Sequence, residues 1–228
     1  TYRSSAKENF YDILPIELIP NNEEVIGMYP SIDTAITKCT KVITNHSMPS
    51  NDRPALKKDE HNRWIDENWT TIGIASYYRR DYEGAMKSFE FVRKFYSNDP
   101  TLFIGELWMA KTNIALGEFT KAKFNLDNLD KAIKEEATRK KVKESSSKKK
   151  KSKKKTDEIA KFPKKILFDF EKTKADLALI KNEPKNAIDF LEASLGHRAI
   201  KKEKTRVHFI LGQLYEKQGD NEKAVEHY

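Results

Sequence analysis

Five histidines, at positions 46, 61, 197, 208 and 227, and one cysteine, Cys39, are the side chains of this sequence best suited to metal, nucleophilic or acid–base chemistry. None stands in a spacing that such chemistry needs. There is no His-Glu-x-x-His helix and no Cys/His cluster, the arrangements that bring zinc ligands together. A single cysteine excludes an intrachain disulfide framework and a thiolate metal site, and Cys39 reads as a small core residue rather than a nucleophile. No two glycines form a G-x-G-x-x-G or P-loop pattern, so no backbone cradle for a phosphate is encoded. Acidic residues are plentiful, but 34% of all residues are charged, and the expected place for most carboxylates is a solvated helix face. The sequence predicts no catalytic residue, no metal site, no cofactor and no small-molecule substrate.

Two further patterns carry chemistry of a looser kind. Tyr77, Tyr78, Tyr82, Phe89, Phe91, Phe95 and Tyr96 are dense enough for a base-stacking platform. Most of them keep helical spacing, however, which is the pattern of an inter-helix core. Residues 139–165 hold fourteen Lys or Arg against Glu144, Asp157 and Glu158, a local charge of +11 in a chain of +8, so everything else sums to −3. Such a tract fits nucleic acid, nuclear import, anionic lipid, or a solvated loop tip. Its low-complexity centre has no apolar face to offset the entropy of ordering, which predicts a mobile insert with nucleic-acid binding a minor reading.

The elements that would position any binding residue come from an internal repeat. LGQLYEKQGDNEKAVEHY places Leu211, Gly212, Tyr215, Gly219, Ala224 and Tyr228 at the signature positions of a tetratricopeptide repeat. Small residues are required where two antiparallel helices cross, and glycine suits the left-handed turn between them. The same frame recurs with Ile72, Gly73, Ala85 and Phe89; with Met109, Ala110, Gly117, Ala122 and Leu126; and with Ala175, Ala178, Ala187 and Leu191. The alanine of each second helix steps from 85 to 122, 187 and 224. The outer steps are equal at 37 residues, and the middle one is longer by 28, the size of the basic insert. The fold expected is all-α: a right-handed tetratricopeptide-type α-solenoid of about four helix pairs, with an extended N-terminal segment. No apolar stretch reaches the roughly 20 residues of a membrane span.

The organisation expected is an extended apolar strip over 1–30 and a helix with linker over 31–62. The helix would start at Pro30-Ser31, with Ile32, Ala35, Ile36, Cys39 and Ile43 on one face, as a possible degenerate repeat. Repeats 1 and 2 would follow over 63–138, the insert over 139–165, and repeats 3 and 4 over 166–228. Pro15 and Pro20 bar a continuous helix in the strip. Its side chains Phe10, Tyr11, Ile13, Leu14, Ile16 and Leu18 are too apolar for a solvated linker, which predicts docking on this chain's own helices or on a partner. First helices of successive pairs should line a groove for a partner peptide, with Tyr77, Tyr78, Lys111, Lys172, Asp176, Arg206 and Gln213 as the candidate contacts. Thr70, Ile74 and Trp108 stand where a chaperone-tail clamp needs cationic and amide side chains, which argues against that use of the groove.

Residues 8–24, ENFYDILPIELIPNNEE, resemble the N-terminal region of the PorW/SprE family, tetratricopeptide lipoproteins of the type IX secretion and gliding-motility machinery of Bacteroidota. The likeness rests on Tyr11, Ile13, Leu14 and Pro15, on Asn22, Glu23 and Glu24, and continues through His46-Ser47-Met48 and Asp66-Glu67. The resemblance implies a periplasmic protein tethered to the outer membrane by a lipidated cysteine upstream of Thr1. Its partners would be the outer-membrane translocon and the periplasmic ring and motor, with no catalytic residues to carry over. The chain, which begins at Thr1, is expected to be a piece of a longer protein, so its missing targeting signal says nothing about location, and the Lys-rich insert leaves a cytoplasmic or nuclear adaptor open. The Lys-rich insert is foreign to the family pattern.

Overall fold

The computed structural model describes residues 8–48, 62, 64–145 and 160–228. Among the described residues there are nine α-helices and no strand: α1 (Asn22–His46), α2 (Ile65–Tyr78), α3 (Tyr82–Phe95), α4 (Thr101–Ala115), α5 (Phe119–Ser145), α6 (Leu167–Ile180), α7 (Pro184–Leu195), α8 (Lys201–Gln218) and α9 (Asn221–His227), with a 3-10 turn at Lys164–Ile166 before α6. The chain divides into two compact units, residues 25–163 and residues 1–24 with 164–228. The first holds the pairs α2/α3 and α4/α5, the second α6/α7 and α8/α9. The described residues are all-α, and each unit is built of helix pairs of the solenoid-repeat kind.

One turn, used four times, makes the pairs. Among the described residues, those with left-handed backbone are Arg80, Gly117, Asn182 and Gly219, with φ between 60° and 81°. Each lies five residues before one of the repeat alanines. At each, two hydrogen bonds reach back into the ending helix: Arg80 N–H to Tyr77 O and Asp81 N–H to Ser76 O in the first pair, and Gly219 N–H to Glu216 O and Asp220 N–H to Tyr215 O in the last. These satisfy carbonyls the helix leaves open. The next residue, Asp81, Glu118, Glu183 or Asp220, accepts the first main-chain bond of the second helix. Asp81 and Asp220 add a side-chain cap, to Gly84 N–H and Lys223 N–H. Ala85, Ala122, Ala187 and Ala224 are thereby each the fourth residue of their helices, and all are buried.

Close approach explains the small residues. A β-carbon on Gly73 would lie 2.4 Å from the Phe89 ring, and one on Gly212 2.8 Å from the Tyr228 ring. In the 25–163 unit, Tyr77, Ala85, Phe89 and Met109 form the core around the α2/α3 crossing. In the other unit, Ala175, Ala178, Ala187, Leu191, Ile210, Leu211 and Leu214 form a larger one.

Three boundaries differ from expectation. The helix expected from Pro30 begins at Asn22, because Asn21 and Glu24 exchange reciprocal side-chain to main-chain bonds at 2.8 and 3.0 Å, a capping box. Pro30 lies inside α1 with its ring exposed, so it costs one main-chain bond without ending the helix. The basic insert is narrower than 139–165. Helix α5 continues to Ser145, and Ala160 and Phe162 are buried. The Phe162 ring lies 5.1 Å from Phe103, and its N–H donates to Glu136 at 2.7 Å. The low-complexity centre of the insert, 146–159, lies outside the described residues, as do 49–61 of the linker. The apolar face of α1 is present, with Ile32 buried and Cys39 half-buried; burial pushes the Cys39 thiol pKa up, away from thiolate reactivity.

Candidate functional site

Helix α8 carries Val207, Ile210, Leu211 and Leu214 at helical spacing into the core of its unit. Arg206 and Gln213, seven residues apart, share a different face of that helix. Both hold the N-terminal strip. The Gln213 side chain accepts from the Leu14 main-chain N–H at 2.9 Å and donates to the Phe10 and Asp12 carbonyls at 2.9 and 2.7 Å. It thus satisfies three main-chain groups that a neighbouring strand would otherwise satisfy. Arg206 grips the Glu8 carboxylate with both terminal nitrogens, at 3.1 and 2.7 Å, and donates to the Pro15 carbonyl at 2.8 Å. A two-pronged guanidinium–carboxylate pair fixes geometry as well as charge.

The strip is not extended throughout. Asn9 bonds to the Tyr11 N–H at 3.2 Å and to the Asp12 carboxylate at 2.6 Å, and Asp12 N–H reaches Asn9 O at 3.3 Å. Residues 9–12 therefore turn, which leaves Tyr11 at the tip, 96% exposed. Phe10 is 60% exposed and keeps one edge contact, 5.6 Å between ring centres, with Phe209. Beyond the turn the chain is extended, and alternate residues face the same way. Leu14 and Ile16 are buried in the α6–α9 core, with Ile13 packed beside them. Pro15 faces out, and Leu18 is half-buried. Of the strip, Leu14 and Ile16 are anchors. Tyr11 is not, because the Asn9 turn carries it off the helices, and Phe10 keeps only its edge contact with Phe209. Ile13, Leu14 and Ile16 border a cleft whose far wall is Asp176, Leu179 and Ile180 of α6. The strip thus runs beside the first helices of both pairs in its unit.

Other expected groove residues are placed differently. Lys172 is buried, with its amine 3.0 Å from Glu203 of α8 and 3.8 Å from Asp169. It ties α6 to α8. In the 25–163 unit, Tyr77 is core, and Lys111 is buried with its amine 4.9 Å above the Trp108 ring. Tyr78 is half-buried with its edge towards Trp108 at 5.8 Å. Of those four expected groove contacts, Tyr77 and Tyr78 pack against Trp108 of α4, Lys172 pairs with Glu203 of α8, and Lys111 lies over Trp108 of its own helix. Phe91 packs between helices against Trp69 of α2 at 4.4 Å and, along its own helix, against Phe95 at 4.5 Å.

Among the described residues, two carboxylates are exceptions to the expected solvated helix faces. Asp66 is buried and accepts from the Thr101 hydroxyl. Glu106 is buried and accepts from Asn125 at 2.8 Å, while Asn125 in turn accepts from Asn113 at 2.9 Å. This chain of amides ties α4 to α5 and was invisible as a motif. Two histidines read as unconnected also meet: His208 and His227 have their Nδ1 atoms 3.0 Å apart, with the His227 ring stacked on Tyr215. Burial, then His227 and Lys204, hold the His208 pKa below its usual value. Among the described residues no three His, Cys, Asp or Glu side chains converge as metal ligands, and no helix is long and apolar enough to cross a membrane.

Comparison with known proteins agrees with the repeat reading. A tetratricopeptide-repeat family model matches residues 205–228. No curated protein sequence matches the chain. A solved structure of MamA is similar over 92% of this chain and 92% of its own, at 14% identity and a TM-score of 0.47.

Proposed function

We propose that this protein is a non-catalytic scaffold that holds other proteins through the first-helix groove of its repeats. One observation carries the reading. Gln213 and Arg206 hold an irregular segment by its main chain and one carboxylate, which is how a repeat groove receives a peptide from a partner. Helix-pair repeats stack into extended inner faces whose side chains vary from repeat to repeat, which suits the capture of a partner segment.

The finer assignment rests on the N-terminal resemblance alone: a periplasmic component of the type IX secretion and gliding machinery, anchored outside this segment, linking the outer-membrane translocon to the periplasmic ring and motor. A cytoplasmic or nuclear adaptor addressed by the Lys-rich tract is the competing reading, favoured by the +11 charge of 139–165. Fractionation of cells expressing the tagged natural gene, followed by affinity capture from the envelope, decides between them. The secretion reading expects the protein in the envelope fraction with translocon and ring subunits co-purifying. A protein confined to the cytoplasmic fraction sinks it, and a chain that captures no protein in any fraction sinks the scaffold reading itself.

A further inference from the structure

We infer that the α6/α8 groove is a recognition site for a proline-containing protein segment of defined chemistry, and that residues 8–16 are its tethered mimic. This rests on the scaffold reading above and names the partner class of that site. The groove reads four features. Arg206 takes a carboxylate at the start of the segment, seen at Glu8. Gln213 takes the two carbonyls of a tight turn and the N–H that follows it. Two aliphatic side chains, two residues apart with a proline between them, fill the apolar floor, as Leu14 and Ile16 do. The Pro15 carbonyl accepts from the same Arg206 terminal nitrogen that bonds Glu8 Oε1. The partner segment therefore carries an acidic residue, a polar turn, and an aliphatic-Pro-aliphatic triplet.

The resident segment fills the site incompletely. Phe10 and Tyr11 stay largely in water, and Ile180 on the cleft's far wall is 46% exposed. A partner whose turn directs an apolar side chain inward, or which fills the cleft beside α6, gains contacts that the mimic does not make. Covalent attachment compensates the mimic with an effective concentration of roughly millimolar. A segment with an intrinsic dissociation constant of about 0.1 mM would then keep the groove closed about nine-tenths of the time, and weaken a competitor about tenfold. The groove is in that sense gated by competition, with no change of fold required.

The test uses the full 228-residue chain and a fluorescein-labelled peptide of residues 8–19, read by anisotropy. Leu14→Asp with Ile16→Asp releases the strip while leaving the groove lining intact. The released chain is expected to bind the peptide at least tenfold more tightly than the intact chain. Adding Arg206→Glu to it should abolish that binding and transfer preference to a peptide carrying Glu8→Arg. Circular dichroism checks that the helices persist. If the double variant unfolds, Glu8→Arg in the intact chain loosens the clamp alone, and native peptide should still bind more tightly than to wild type. A folded, released chain that ignores the peptide overturns the inference, as does indifference to Arg206→Glu. Concentration-dependent dimerisation on release, seen by light scattering, would assign the groove to a second copy and overturn the partner class. Failure with the peptide while envelope capture persists removes this site and leaves the scaffold reading standing.

Discussion

Leu14 and Gln213 are 199 residues apart in sequence, yet the main-chain N–H of the first donates to the side-chain oxygen of the second at 2.9 Å, both buried. A buried N–H without that acceptor would cost about 1–3 kcal/mol. Gln213→Ala removes the acceptor and both donors together. We expect the variant to lose about 1–3 kcal/mol of stability and to lose hydrogen-exchange protection at Leu14, while α2–α5 keep theirs. Conversely, unchanged exchange at Leu14 would show that the amide is held by something other than Gln213.

The Gly212 crossing leaves no room for a side chain. Gly212→Leu must displace the Tyr228 ring, whose hydroxyl also donates to Glu216 at 2.8 Å. Destabilisation of about 1–3 kcal/mol is expected in denaturant melts. Gly73→Ala meets the Phe89 ring in the same way, and pairing it with Phe89→Leu should recover part of the loss.

The fourfold turn makes a prediction of opposite sign. Arg80 holds a left-handed backbone, φ 65°, where its equivalents Gly117 and Gly219 are glycines. Arg80→Gly should therefore stabilise by about 0.5–1 kcal/mol, the left-handed penalty less the added freedom of the unfolded chain. Gly219→Ala should cost a similar amount. A fall in melting temperature for Arg80→Gly would mean that contacts of the Arg80 side chain outweigh its backbone strain.

The His208–His227 pair sets an acid-side dependence. The folded His208 pKa lies below its usual value, so the unfolded chain takes up the proton first as pH falls. The stability this site contributes is complete above the unfolded value of about 6.5 and is lost as pH drops below it towards the folded value. His208→Gln should flatten the stability difference between about pH 7.5 and pH 5.5 relative to wild type. Equal slopes for the two proteins would remove His208 as the source of the acid-side loss.

The repeats were legible because their constraint is steric: Ala85, Ala122, Ala187 and Ala224 sit where only a methyl fits, whatever surrounds them. Docking of the strip could be read from the density of Leu14, Pro15 and Ile16. Which side chains it would bury could not, because the Asn9–Asp12 turn decides that Tyr11 points away and Phe10 keeps only an edge contact. The start of α1 was written in Asn21 and Glu24, but Pro30 was the louder signal and misled. Lys172 looked like a groove cation since burial of a lysine depends on a distant partner, here Glu203, while Lys111 lies over the Trp108 ring one turn back on its own helix. Glu106 was hidden for the same reason as Lys172, with its partner Asn125 on the next helix. Nothing in the local sequence of His208 announces His227, nineteen residues away.

Occupancy of the repeat groove by the strip is the central claim, and amide hydrogen exchange at Leu14 in the full chain measures it. We predict exchange slowed by about tenfold or more from the unstructured rate in wild type, near-unstructured exchange with Arg206→Glu, and restored protection when Glu8→Arg is added to Arg206→Glu. Exchange at the unstructured rate in the wild-type chain, with α8 itself protected, would contradict it.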